Sequence, residues 1–392
     1  MNDNGSNSKQ TQLMTSLVFT LFFLFNPISD PDPLFKAQII DANIDIGYGL
    51  AIGDVDGDKK PDILLADKKE FVWYRNGDWK RFVMIENLTE SDNVCLAARD
   101  IDGDGMVEVA VGAQWNPGET SDEMASGSVH FLVRPKDPTK KWKAVKLHHE
   151  PTVHRMHWVR TADNKYQLVV LPLHGRGNSN GEGKGVKVFA YQMPNNLAEP
   201  WKLSLIDETM HLTHNFDVIG TGASEQMYIG GKEGVNIFTT YQNQNWATPV
   251  TGNISGHSFG EVRVGQIDDR SFVTGVEPMH GNELTVYLPG SNRRIMLTDE
   301  LKQGHALATG DFLNFGIDQI VVGWREANAD REMGIKIFVA TDAQGTRWKG
   351  HWVDKNGMAC EDLKVADLNG DGKMDIIAAG RDSHNLKIYW GK

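Results

Sequence analysis

Eight of the 13 histidines stand in a few short segments: His154, His157, His174, His211, His214, His257, His280 and His305. Segments of the same kind carry Arg176, Lys232, Glu261, Glu277, Trp324, Arg325, Glu361, Asp362 and Arg381. Imidazoles titrate near neutral pH and can both take and give protons, while guanidinium groups hold developing negative charge. A base, an acid and a cation are what elimination beside a carbonyl requires. A second set of residues has different chemistry. Asp54, Asp56, Asp58 and Asp62 occupy positions 1, 3, 5 and 9 of one loop. Asp100, Asp102, Asp104 and Glu108 repeat that spacing, as do Asp367, Asn369, Asp371 and Asp375. Oxygen ligands alternating around a glycine-assisted turn converge on one point, and such a set suits Ca²⁺ better than Mg²⁺. Up to three structural Ca²⁺ sites are expected, each joining two strands. The related loop at Asp311 keeps Asp318 but has Leu313 and Phe315 at ligand positions, so no metal is expected there.

These loops belong to a repeat. LAIGDVDGDKKPDILLAD (50–67), LAARDIDGDGMVEVAVGA (96–113), LATGDFLNFGIDQIVVGW (307–324) and LKVADLNGDGKMDIIAAG (363–380) share one order: apolar run, loop, second apolar run, turn. A third strand follows each, as in EFVWYRN and NLKIYWG, and a fourth such as RFVMIE or WATPVTG closes most units. Degenerate copies fill the middle of the chain. A spacing of roughly 50 residues with period-two alternation and glycine-bearing turns marks propeller blades. Seven units are counted, near 47–86, 93–151, 152–208, 211–253, 256–301, 303–357 and 358–392. The last has three strands, and FKAQIIDAN (35–43) is available as its fourth. The expected fold is all-β: a seven-bladed β-propeller over residues 34–392, closed by pairing of N- and C-terminal strands.

Composition narrows the function. A net charge of −12 with no basic stripe excludes nucleic acid as a partner. Cys95 and Cys360 are too few for a disulfide framework. The apolar run LMTSLVFTLFFLF (13–25) follows a polar start with Lys9 and precedes NPISDPDP. That order reads as a signal peptide over residues 1–28 and is short for a membrane span. A secreted or periplasmic protein without a membrane span is expected.

In a four-stranded antiparallel blade, the start of strand A and the B–C turn share one face, and the A–B turn lies on the other. The three acidic loops are A–B turns of blades 1, 2 and 7. The histidines sit at strand-A starts and B–C turns of blades 3 to 6, so one sector of one mouth becomes a His/Arg/Glu pocket. The catalytic candidates are His154, His157, His211, His214, His257, His305, Glu361 and Asp362. Those for substrate binding are His174, Arg176, Lys232, Glu261, Glu277, His280, Trp324, Arg325 and Arg381. His157 and His214 enter from adjacent blades at equivalent positions and are the favoured pair for a Zn²⁺-type or other divalent ion. His154 and His211 are then the proton carriers. In HLTHNF (211–216), strand alternation turns residues three apart in different directions, putting His211 on the lip and His214 on the channel wall.

The acidic loops resemble those of the FG-GAP/VCBS family of exported propellers, over nearly the whole chain after the signal peptide. A narrower resemblance rests on VHRMHW, LPLHGRGN, THNF, VEPMHG, GHALATGDF, VGWR and GMACEDLKVADLNGDG. These look like the propeller domain of the fungal aldos-2-ulose dehydratases, which with their cupin domains dehydrate and isomerise keto-sugars such as 1,5-anhydrofructose. The chain is expected to lack the cupin domains, so dehydration without isomerisation is the activity the resemblance implies. The reading is a secreted carbohydrate-active lyase acting by elimination on a keto-sugar or 3-keto-glycoside. The alternative is a non-catalytic propeller whose mouth binds a glycan or a partner protein.

Overall fold

Strand Asp62–Ala66, DILLA, is buried at every position, and the reason is that both of its faces are covered. Ile63 and Leu65 lie in one apolar cluster with Ile377, Leu386 and Ile388, while Leu64 and Ala66 lie in another with Val109, Val111 and Leu132. Alternation sends one face to the preceding blade and the other to the next. Seven such clusters occur, each shared by successive blades, and the one between blades 7 and 1 closes the ring. The computed structural model describes Met1 and residues 34–392, except 198, 221, 223, 242–244, 248–253 and 289–292. The expected signal peptide at 1–28 therefore lies outside the described residues. Seven antiparallel sheets and no helices are present among them, and the chain is a seven-bladed β-propeller.

The closure expected of the chain ends is observed. Blade 7 runs Phe35–Asp41, Asn385–Gly391, Asp375–Gly380, Cys360–Ala366 from outside to inside. Phe35 is buried with its ring edge-on to Phe312 at 6.1 Å, and Asp41 accepts the Tyr74 hydroxyl of blade 1 at 2.7 Å. In blade 4 the outer position is split between Asn245–Trp246 and Ile254–Ser255, both paired with Gly234–Tyr241. Most of the expected strand WATPVTG falls outside the described residues.

Carboxylates clasp neighbouring blades around the channel by accepting backbone N–H groups. Asp362 takes Leu50 N at 2.8 Å, Asp217 takes Val264 N at 2.8 Å and Glu225 takes Arg160 N at 2.7 Å. The inner strands of blades 3, 4, 6 and 7 share a second feature. Their registers break between Val153 and Arg155, Thr213 and Phe216, Gly304 and Ala306, and Cys360 and Asp362. The corresponding ladders of blades 1, 2 and 5 run unbroken.

Two interior histidines, buried His130 and half-buried His157, should make the fold acid-sensitive. Burial, then the Lys146 charge, pushes His130 down to about 4, and its Nδ1 has no partner. For His157, burial followed by Lys364 and Arg263 gives about 3. Both are uncharged when folded and take up a proton on unfolding near pH 6.5. Their contribution is complete above about pH 6.5 and is lost as pH falls toward their folded values. Thermal melts should show Tm falling between about pH 6.5 and 4, with a shallower fall in His130→Leu. A His130→Leu profile parallel to that of the parent protein would show that His130 does not contribute.

Candidate functional site

The register breaks build the site. A β-bulge leaves one residue out of the ladder and re-aims its side chain. The residues left out are His154, His214 with Asn215, His305 and Glu361. His154, His214, His305 and Glu361 enter one cavity of about 230 Å³, joined by His280, Arg325 and Arg381 from B–C turns. The volume lies just below the usual range for ligand pockets. Trp115 covers one side, its ring 5.1 Å from that of His154.

The bulges also free backbone carbonyls that fix ring tautomers. His154 Nδ1 donates to the His214 carbonyl at 2.7 Å, and His305 Nδ1 donates to the Glu361 carbonyl at 2.6 Å. Nε2 of each ring keeps its lone pair. His214 Nδ1 stands 3.2 Å from Glu261 Oε1, and neither atom has a hydrogen-bond partner. Its Nε2 lies 2.7 Å from His280 Nε2, so one proton is shared between those two rings. Burial lowers all four histidines. His305 goes to about 4 and His280 much further, while His154 is pushed well below its ordinary value by burial, then Arg155 and His214. The imidazoles are therefore neutral at physiological pH. Burial alone would raise the Glu361 carboxyl, but His305, Arg381 and Arg325 outweigh it and hold it well below the usual range.

Ring nitrogens of His214, His280 and His305 lie within 4.8 Å of one another. Neutral imidazoles, two of them backed at Nδ1 by a carboxylate or a carbonyl, form a donor set suited to a Zn²⁺-type ion. His157 is not among them. Its ring packs edge-on against Phe216 at 4.6 Å, which corrects the expected His157–His214 pair.

On the A–B turns, oxygens of Asp54, Asp56 and Asp58 gather within 4.8 Å, as do those of Asp100, Asp102 and Glu108. Gly57, Gly103 and Gly370 adopt φ of 82°, 84° and 75°, a left-handed turn that favours glycine. Burial, then Asp58, raises the Asp56 carboxyl, and burial raises Glu108 to about 7. Carboxylates held close together with raised values are what a bound divalent cation would relieve. In the third loop, Asn369 turns its amide to Asp371 at 3.1 Å, and the three carboxylates of Asp367, Asp371 and Asp375 are not gathered in that way. Asp375 and Asp62 both accept two backbone N–H groups, clamping the strands of their blades.

Residues 54–111, which span the first two of these loops, match the FG-GAP-like repeat. The chain is a seven-bladed β-propeller that carries an FG-GAP-like repeat. Residues 126–289 of this propeller match the aldos-2-ulose dehydratase β-propeller domain, a stretch that carries His154, His214 and His280. No curated protein matches the chain in sequence. Among solved structures, it is similar to a chain of a mitotic checkpoint complex, with TM-score 0.58, 10% identity, and coverage of 100% of this chain and 99% of that one. The N-terminal part of BBS1, solved in complex with ARL6, gives TM-score 0.54, 11% identity, and coverage of 92% and 97%. The exotype rhamnogalacturonan lyase YesX gives 0.50, 13% identity, and coverage of 91% and 72%. At such identities these likenesses concern the fold. No helix among the described residues is long and apolar enough to cross a membrane.

Several expected site residues of the propeller lie elsewhere. His211 is on the rim with its Nδ1 2.7 Å from Glu233, and exposed His257 stands 3.6 Å from Glu277. Glu277 is buried and binds Thr285, Tyr287 and Arg294. Trp324 is buried with Nε1 donating to the Glu332 carbonyl, and Lys232 pairs with Glu182. His174 forms a bridge with Leu212 on the rim. Arg176 is held by Glu150 and Glu123 and lines a separate cavity with Lys184, Lys187 and Glu208. Glu261 stands behind His214, paired with Arg263. Asp362 is the clasp on Leu50, and Glu361 lies in the cavity as the anchor of two arginines. Arg155 lines the cavity but was not expected there. Alternation alone would turn it away from the direction of His154, and nothing in the sequence announces the bulge between them.

Proposed function

We propose that the chain is an exported carbohydrate-active lyase, a dehydratase acting on a keto-sugar of the 1,5-anhydrofructose or 3-keto-glycoside kind. The observation that carries this reading is the meeting of four neutral imidazoles and three guanidinium groups in one small cavity. The match to the aldos-2-ulose dehydratase propeller supports the substrate class. A divalent ion held by His214, His280 and His305 would polarise the sugar carbonyl and acidify the adjacent C–H bond. His154 serves both proton transfers. Its Nε2 takes the proton from the carbon beside the carbonyl, and the electron pair of that C–H bond becomes the new C=C bond. The neighbouring C–O bond breaks, and the proton passes from Nε2 to the departing hydroxyl, which leaves as water. The product is a conjugated enone. Incubation with 1,5-anhydrofructose and 3-keto-glucosides should generate its ultraviolet absorbance, and a chelator should abolish it. Tight glycan or protein binding without product from any substrate would favour the non-catalytic alternative.

Ca²⁺ in the acidic loops is proposed as a structural ion. A ligand at a hundredfold excess over Kd stabilises by about 2.7 kcal/mol per site. The melting temperature should therefore fall after dialysis against chelator and return with Ca²⁺, and less fully with Mg²⁺. Asp54→Ala combined with Asp100→Ala should remove the Ca²⁺ response. A response that persists in this variant would place the ion elsewhere. Export is proposed from the apolar run 13–25. N-terminal sequencing of secreted or periplasmic material should begin near residue 29, and an intact cytosolic chain would contradict it.

A further inference from the structure

The mouth cavity is lined by three guanidinium groups, those of Arg155, Arg325 and Arg381, and by one carboxylate, that of Glu361. Glu361 is fully engaged. Its Oε2 takes Arg325 Nη1 and Arg381 Nε, each at 2.8 Å, and its Oε1 takes Arg381 Nη2 at 2.8 Å. The carboxylate of Glu261, behind His214, is held by Asn215 Nδ2 at 2.7 Å and Arg263 Nη2 at 3.1 Å.

Arg155 differs from the other arginines around the channel. It is only 8% exposed. Its Nη1 donates to the His154 carbonyl at 3.0 Å and approaches His154 Nε2 at 3.4 Å. Among the described residues no carboxylate lies within 4.0 Å of its guanidinium, whereas Arg99, Arg263, Arg325 and Arg381 each have one. Imidazoles are neutral or cationic near neutral pH, so the surrounding histidines offer no counter-charge in either state. A buried charge without a partner is strongly unfavourable. A divalent ion on the three histidines would add to the same imbalance.

We infer that the ligand of this cavity brings the missing anion, and that Arg155 binds an oxyanion carried by the sugar. The chemistry is that of a carboxylate or an enediolate, both of which match the planar donor fork of arginine. The first would be a permanent group of a sugar acid, and the second an anion that forms on a neutral sugar during proton abstraction. The inference rests on the cavity being the ligand site proposed above, but it does not require elimination to occur.

Equilibrium binding of unreactive probes tests it, followed by calorimetry on the metal-loaded full chain. The probes are D-glucuronate, D-glucose as its neutral counterpart, and D-erythronohydroxamate as a planar enediolate mimic. At least one of the two oxyanion probes should bind tenfold or more tightly than glucose, and Arg155→Met should erase that preference. Arg155→Lys keeps the charge without the fork and should retain part of it. Preference for glucuronate alone identifies a sugar acid, preference for the hydroxamate alone an anion formed in the reaction, and preference for both a site that accepts either. Equal binding of all three probes, or a preference that survives Arg155→Met, overturns the inference. Unliganded Arg155→Met should also melt at a higher temperature than the parent protein, because removing an unpaired buried charge relieves the folded state. A structural arginine would give a lower one. Since no probe turns over, this result and the enone assay fail independently.

Discussion

His154→Gln lowers enone formation from 1,5-anhydrofructose by about 10³-fold, within the range set by loss of a general base, while bound divalent metal and Tm remain those of the parent protein. The expectation follows from how the ring is held. Its Nδ1 proton is committed to the His214 carbonyl at 2.7 Å, so Nε2 carries the basic lone pair, with Arg155 Nη1 3.4 Å from it and the Trp115 ring 5.1 Å across. Glutamine can still donate to that carbonyl, so the bulge keeps its bond, but it cannot accept a proton from carbon. His154 lies outside the group of ring nitrogens formed by His214, His280 and His305. His214→Ala should therefore behave differently and lose bound metal and activity together. The two patterns separate proton transfer from ligand holding. More than a tenth of parental turnover in His154→Gln would assign the base to another residue.

Loss of the strand Phe35–Asp41 should unfold or aggregate the protein under conditions in which the full chain is a stable monomer. This strand is the outer edge of blade 7 and pairs along its length with Asn385–Gly391. Without it, that strand becomes an unpaired edge, a template for pairing with another chain. Phe35 also leaves the cluster that seals blades 6 and 7, where it packs with Ile335, Ile337 and Tyr389. Phe35→Ala alone should cost about 3–5 kcal/mol, as for other buried aromatic truncations. Denaturant midpoints measure the point variant, and size-exclusion chromatography with circular dichroism measures the chain lacking residues 34–43. A truncated chain that stays monomeric and keeps its Tm within about 2 °C would mean that the strand contributes little.

The blade order was legible because it depends on period-two burial, which adjacent residues record directly. The second apolar run, PDILLAD, announced a strand of the repeat, and FKAQIIDAN announced the missing partner of the last blade. The acidic loops were legible for a similar reason, since their spacing is set within one turn. The site was legible only in part. His154, His214, His280 and His305 converge where the strand starts and turns placed them. His211, His257, Lys232 and Trp324 were assigned to the same mouth but are engaged elsewhere, by Glu233, Glu277, Glu182 and Glu332 respectively. Proximity to the mouth says which blade end a residue occupies, and local partners decide where its side chain goes.

Local alternation and repeat spacing thus determined the propeller, its closure and the face on which the histidines lie, because each depends on residues near in sequence or related by the repeat. The tertiary structure decided which of them form a site. Four bulges re-aim His154, His214, His305 and Glu361 into one cavity and free the carbonyls of His214 and Glu361 to fix the neighbouring rings. A bulge arises from pairing between strands and from the packing of the next blade. The residues on either side of His154 do not specify it, and so neither the tautomers nor the unpaired charge of Arg155 could be read before the ring was assembled.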